Sequence, residues 1–195
     1  MVKESSKEKL IRAALQLMLS RGYAGTTVDE ICEAAGVSKG SFYHSFKTKE
    51  DIGLAALESF HRDAFARSGT GKFNEIQDPI QRAFGFMDHL ETVAKDIWGD
   101  GCLLGNFAMD LADTHPLIRE KVSALLKKST RNIAGFFEPI AKLPRNKKGP
   151  SAEELAEHFV SVVEGAIILG KAHNDWKQIP GGIRKFRHYL ELLAA

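Results

Sequence analysis

Cysteine is almost missing from this 195-residue chain: Cys32 and Cys102 stand alone and far apart. Two isolated thiols exclude a disulfide framework and suit a reducing compartment. Proline is scarce, at six residues, and strand-like alternation is hard to find, so an all-α protein is expected. No run approaches the roughly 20 apolar residues that cross a bilayer. The first apolar run, ALQLML, is too short for a signal-peptide core. The expectation is a cytoplasmic chain with no membrane association. Catalytic patterns are missing too: there is no G-x-S-x-G, no G-x-G-x-x-G and no H-E-x-x-H. GTGK at 69–72 lacks the first glycine and the Ser/Thr of a phosphate loop. The seven histidines are scattered without metal-ligand spacing. No cofactor, no metal and no enzymatic activity are expected, and a helical thiol enzyme using Cys102 is the competing class.

Charge of one sign is also lacking. A net charge of +2 is too small for a general polyanion coat. Its distribution is more telling. Residues 1–50 hold eight Lys/Arg against six Asp/Glu, while 51–195 hold nineteen of each. An anionic partner should therefore meet the N-terminal end.

What is present is a series of helix starts. Ser5-Ser6-Lys7-Glu8, Thr27-Val28-Asp29-Glu30 and Ser151-Ala152-Glu153-Glu154 each match a capping box. Asp78-Pro79 and Thr114-His115-Pro116 place a cap before a proline at the first helical position, and Thr48 caps a helix beginning at Lys49. Between these starts the apolar spacing is helical. Leu10, Ala14, Leu17 and Met18 share one face of a first helix, and Ile31 and Ala35 belong to a short second one. Ile52, Ala56, Phe60 and Ala64 mark a fourth. Further helices are expected over about 77–98, 102–112, 115–142, 151–173 and 181–193, with linkers at 68–77 and 144–150.

The stretch GVSKGSFYHSFKTKE (36–50) is unlike a helix made only for packing. Gly36 stands where a helix ends in a left-handed residue. Val37 follows as an apolar plug, and Ser38 can cap the next helix. Ile31, Ala35, Val37 and Phe42 have helix-turn-helix spacing, with the small Cys32 where two helices would cross. Phe42 and Phe46 are the core anchors between the polar residues. Gly40, costly inside a helix at about 1 kcal/mol, leaves the backbone bare for close approach.

TTVDEICEAAGVSKGSFYHSFKTKEDI (26–52), extended back through RAALQLMLSRGY (12–23), resembles the DNA-binding segment of the TetR/AcrR family of bacterial transcriptional repressors. The resemblance implies two domains: a helix-turn-helix DNA-binding domain over 1–49, and a helical effector-binding and dimerisation domain over 50–195. It implies that Ser38, Lys39, Gly40, Ser41, Tyr43 and His44 face the major groove of operator DNA. Thr27 would bind a phosphate, as its capping position also suggests, and Tyr43 and Lys49 would grip the backbone. The implied function is a homodimeric repressor on a palindromic operator, released by a small apolar or aromatic effector. A DNA-binding activator is the alternative.

In the remainder, FVSVVEGAIIL (159–169) is apolar nearly all round, as for a helix buried on more than one side. Its small residues would admit a partner helix. With the resemblance, Phe159, Val163, Ala166, Ile167 and Gly170 are the expected dimer interface, while Glu164 needs a partner or water. Met87, Trp98, Phe107, Phe136 and Phe137 are the apolar candidates for an effector pocket, together with Cys102. Asp100 reads as a helix N-cap that would put Cys102 in the first turn. The Gly-Cys-Leu stretch there is weakly similar to one in electrophile-sensing family members such as the repressor of N-ethylmaleimide reductase. That similarity opens a second reading, in which Cys102 is a covalent sensor.

Overall fold

The computed structural model describes residues 4–195. Among them are nine α-helices and no strand: α1 (Ser6–Arg21), α2 (Val28–Ala35), α3 (Lys39–Ser45), α4 (Lys49–Gly69), α5 (Pro79–Trp98), α6 (Leu103–Leu111), α7 (Pro116–Ala141), α8 (Ala152–His173) and α9 (Gln178–Ala194). The three capping boxes close in both directions, at Ser5/Glu8, Thr27/Glu30 and Ser151/Glu154. Asp78 accepts the Gln81 N–H at 2.8 Å, and Thr48 accepts that of Asp51 at 3.1 Å.

Two starts differ from the sequence expectation. The N-cap of α6 is Cys102 itself, not Asp100, because Gly101 adopts φ +111° and breaks the chain direction between them. The α9 helix begins at Gln178, three residues early. Pro180 is tolerated there because first-turn N–H groups need no helical partner. The 68–77 linker is also more than a spacer. It forms a 3-10 turn over Lys72–Glu75 that buries Phe73.

The chain groups into two compact units. Among the described residues, the first comprises 4–63 and 102–125, the second 64–101 and 126–195. In the first, α1 packs on α2, α3 and α6, and α2 packs on α3. Leu10, Met18, Ile31 and Phe42, all fully buried, form the centre of this small core. In the second unit α9 packs on both α5 and α8. Its core has two aromatic groups. Phe86 stacks on Phe136 at 4.0 Å, with Phe73 edge-on. Phe137 and Phe159 both meet Phe186, at 5.6 and 5.2 Å.

The five residues expected at a dimer interface are placed differently from that expectation. Phe159, Val163, Ala166, Ile167 and Gly170 are all buried inside the chain. Phe159 joins the Phe137–Phe186 group. Ala166 lies against Gly182 of α9, where an added Cβ would stand only 3.0 Å away. At Gly170 the nearest group is the Asp175 carbonyl, part of the turn that ends α8 at left-handed Asn174. An all-round apolar pattern does not tell an inner face from an outer one, and these five lie on the inner face. The outer face of α8 carries Ile168 and Leu169, 66% and 48% exposed, and α9 adds exposed Leu192.

Candidate nucleic-acid interface

The turn between α2 and α3 is built as its residue types require. Gly36 sits at φ +62°, ψ 39°, the left-handed region that glycine enters without strain. Its N–H and that of Val37 close back onto the carbonyls of Glu33 and Cys32, both at 3.0 Å. Ser38 then caps α3, accepting from the Ser41 N–H at 3.2 Å, and the two serine hydroxyls lie 3.2 Å apart.

Two phenylalanines orient α3. Phe42 is fully buried and Phe46 nearly so, their rings 5.8 Å apart. Burying each ring stabilises the unit by roughly 2–3 kcal/mol, so a seven-residue helix that would not persist alone is held in one orientation. The opposite face is open. Ser38, Lys39, Gly40, Tyr43 and His44 are exposed and Ser41 is half-buried. Tyr43 is 57% exposed, its ring edge-on to Phe42. A Cβ at Gly40 would meet nothing nearer than Ser38 Oγ at 3.8 Å. The fold itself therefore does not require glycine there.

The flanking residues are less free than the sequence suggests. Thr27 caps α2, but its hydroxyl and N–H both donate to Glu30 Oε2 at 2.8 Å. Glu30 also pairs with Arg21 at 3.0 Å. The backbone N–H and hydroxyl of Thr27 hold the Glu30 carboxyl below its ordinary pKa. The anion at this helix N-terminus is thus the chain's own carboxylate. Lys49 is half-buried, with Nζ 4.2 Å above the Tyr23 ring. Burial lowers its pKa, and nearby Glu30 partly offsets that. One residue of the surface escaped the sequence reading: Asp29, whose Oδ1 is 2.8 Å from Lys39 Nζ. Its signal was present, an acid two residues past a cap across a tight turn from a lysine.

The six effector candidates fall in different places. Cys102 and Phe107 are buried in the first unit, with Phe107 edge-on to Tyr23 at 5.6 Å. Met87 and Phe137 are buried in the second unit, and Phe136 and Trp98 half-buried there. Cys102 Sγ accepts the Gly105 N–H at 3.5 Å. An open groove of about 480 Å³ in the first unit has Leu54, Ala55 and Ala124 in its wall and the Glu58–Lys121 ion pair beside them. None of the six lines it.

A short helix held by buried aromatics, presenting polar side chains after a glycine turn, defines a helix-turn-helix DNA-binding protein. Comparison with known proteins agrees. Residues 10–68 match the model of bacterial regulatory proteins of the tetR family, and 79–186 match the tetracyclin repressor-like C-terminal domain. The transcriptional regulator AcuR of Cereibacter sphaeroides is 33% identical over 94% of this chain and 84% of its own. The transcriptional repressor NemR of Escherichia coli is 35% identical over 68% of this chain and 65% of its own. The crystal structure of a TetR regulatory protein from Rhodobacter sphaeroides superposes with a TM-score of 0.72 at 29% identity, covering 93% of this chain and 96% of that one. The chain belongs to the TetR family: it is a DNA-binding transcriptional regulator, not an enzyme.

Proposed function

We propose that the protein is a cytoplasmic homodimeric repressor that reads a palindromic operator through α3 and is released by a small apolar or aromatic effector. The observation that carries this reading is the division of α3 into buried Phe42 and Phe46 and an open polar face with bare Gly40 at its start. Lys39 and His44 reach base edges or phosphates, Ser41 contacts either, and Tyr43 and Lys49 grip the backbone, Lys49 after leaving Tyr23. Thr27 reaches a phosphate only if Glu30 yields its place. Residues 1–49 form the reading head, and 50–195 the effector-binding and dimerisation part. Relatives that are themselves repressors support the direction of control.

One seven-residue helix is a weak reader. Two of them about one helical turn of DNA apart, roughly 34 Å, make an adequate one. The outward residues of α8 and α9, Ile168, Leu169 and Leu192, form the partner surface in this reading. An effector acts by binding the DNA-incompetent state more tightly, with Met87, Trp98, Phe107, Phe136 and Phe137 as candidate contacts. The test is selection of duplexes from a randomised pool. Enrichment of a two-fold-symmetric sequence supports the reading, and enrichment of none refutes it. Loss of dimer in Ile168→Glu, read by light scattering, tests the partner surface.

A second reading rests on Cys102. Its sulfur caps α6 and accepts the Gly105 N–H, which places a thiol nucleophile at a helix N-terminus. If Cys102→Ser still releases DNA on N-ethylmaleimide treatment as the wild type does, this reading is wrong.

A further inference from the structure

The reading face carries an acid that a phosphate-binding surface would not be expected to keep. Asp29, in the first turn of α2, places Oδ1 2.8 Å from the Nζ of Lys39, the first residue of α3. Both side chains are open to water, 67% and 61% exposed. An exposed pair of this kind contributes little to stability. Nor does α2 depend on Asp29 for its start, because Glu30 completes the capping box with Thr27. Against a duplex, a carboxylate at this position is repelled by the phosphates. Its value has to lie in what it does to Lys39.

Lysine is a compact, strongly hydrated charge on a flexible four-carbon stem. Unrestrained at the start of a reading helix, it would find a phosphate on a duplex of any sequence, and phosphate capture carries no sequence information. Paired with Asp29, its charge is neutralised toward distant phosphates and its stem is tethered at one point. Two of its three N–H donors remain for an acceptor that comes to that point, such as a guanine edge. The ammonium donates to the Asp29 carboxylate, and this hydrogen bond raises the Lys39 pKa.

We propose that Asp29 is a specificity-determining positioning residue: it restrains Lys39, so that the lysine adds to recognition of the operator and little to binding of random DNA. This rests on α3 being the DNA-reading helix.

The experiment uses the full-length protein and two duplexes of equal length, one selected by the wild type from a randomised pool and one of random sequence. Wild type, Asp29→Asn, Lys39→Gln and the double variant are titrated on both across a series of salt concentrations. Asp29→Asn is expected to bind the random duplex more tightly, with the slope of log K against log salt steepened by about 0.9 for each freed lysine. Its preference for the selected duplex should fall about tenfold, the discrimination that a single well-placed contact supplies. In the Lys39→Gln background, more than half of both changes should vanish. The proposal is overturned if Asp29→Asn leaves slope and preference unchanged. It is equally overturned if most of the change persists without Lys39, because the effect would then be that of a charge at the α2 N-terminus. If the wild type enriches no duplex, the DNA-reading assignment fails first, before any variant is compared.

Discussion

Replacing Gly40 by alanine should make the protein more stable and a poorer DNA binder, and the opposite signs are what make the experiment informative. Glycine within a helix costs about 0.5–1 kcal/mol relative to alanine. Nothing in the fold offsets that cost at Gly40. Its backbone is not among the positive-φ positions, and an added methyl carbon would lie 3.8 Å from Ser38 Oγ, an ordinary contact. For a chain of this length, 1 kcal/mol corresponds to roughly 2–4 °C in Tm, so Gly40→Ala should melt about 1–4 °C higher. If the bare backbone is what lets α3 lie close to the duplex, the methyl group must push it outward. An extra methyl in a close-packed contact costs roughly 1–3 kcal/mol, or about tenfold or more in operator affinity. Thermal unfolding and fluorescence-anisotropy titration on a selected duplex give the two numbers. A higher Tm with unchanged affinity would refute the close-approach argument, and the glycine would then have no structural explanation.

Tyr43→Ala should weaken operator binding about tenfold, while folding stability stays within about 0.5 kcal/mol, because the ring is mainly exposed; mobility shift and urea unfolding measure the two. Phe137→Ala should cost about 3–5 kcal/mol in urea unfolding, since its ring is fully buried between Phe159 and Phe186; a much smaller loss would mean that it lines an effector cavity instead. The carboxyls of Glu8, Glu30 and Glu154 are held below their ordinary value of 4.5 by backbone N–H groups of Ser5, Thr27 and Ser151. A depressed folded pKa adds stability above the unfolded value and loses it as pH falls through the folded one. Tm followed by calorimetry should therefore be insensitive to these groups above pH 4.5 and drop below it, and Glu30→Gln should flatten part of that drop.

The fold was largely legible because its helix starts are spelled out in short-range chemistry. A Ser or Thr with Glu three residues on can be read without knowing any tertiary contact, and each of the three such boxes forms. The α2–α3 turn was legible for the same reason, through Gly36 and Ser38. What was not legible depends on distant residues. The burial of Phe73 in a presumed linker is set by Phe86 and Phe136 from other helices. The inner and outer faces of α8 are distinguished by where α7 and α9 lie, so Ala166 and Ile167 looked as free to meet a partner as Ile168 and Leu169. Asp29 escaped because its role appears only when Lys39 is brought beside it. Asp100 was misread as a cap because the left-handed turn at Gly101 moves the helix start to Cys102.

Within the first unit, one ring ties residues 1–49 to the helices that follow them. Tyr23, just after α1, is almost fully buried and meets α4, α6 and the turn between α6 and α7. Lys49 at the start of α4 stands over its face at 4.2 Å. The ring of Phe107 from α6 meets it edge-on at 5.6 Å, and His115, just before α7, meets it edge-on at 5.4 Å. Gly53 makes room for the arrangement: a Cβ there would stand 3.2 Å from Tyr23 and 3.5 Å from Phe107. Packing at this density transmits displacement rather than absorbing it. An α6 that shifts by the width of a side chain must carry the Tyr23 ring with it or open a void beneath it. The first outcome moves the surface on which the Lys49 ammonium rests. The lysine that grips the DNA backbone in the proposed reading is thus joined through one ring to the helix that Cys102 caps.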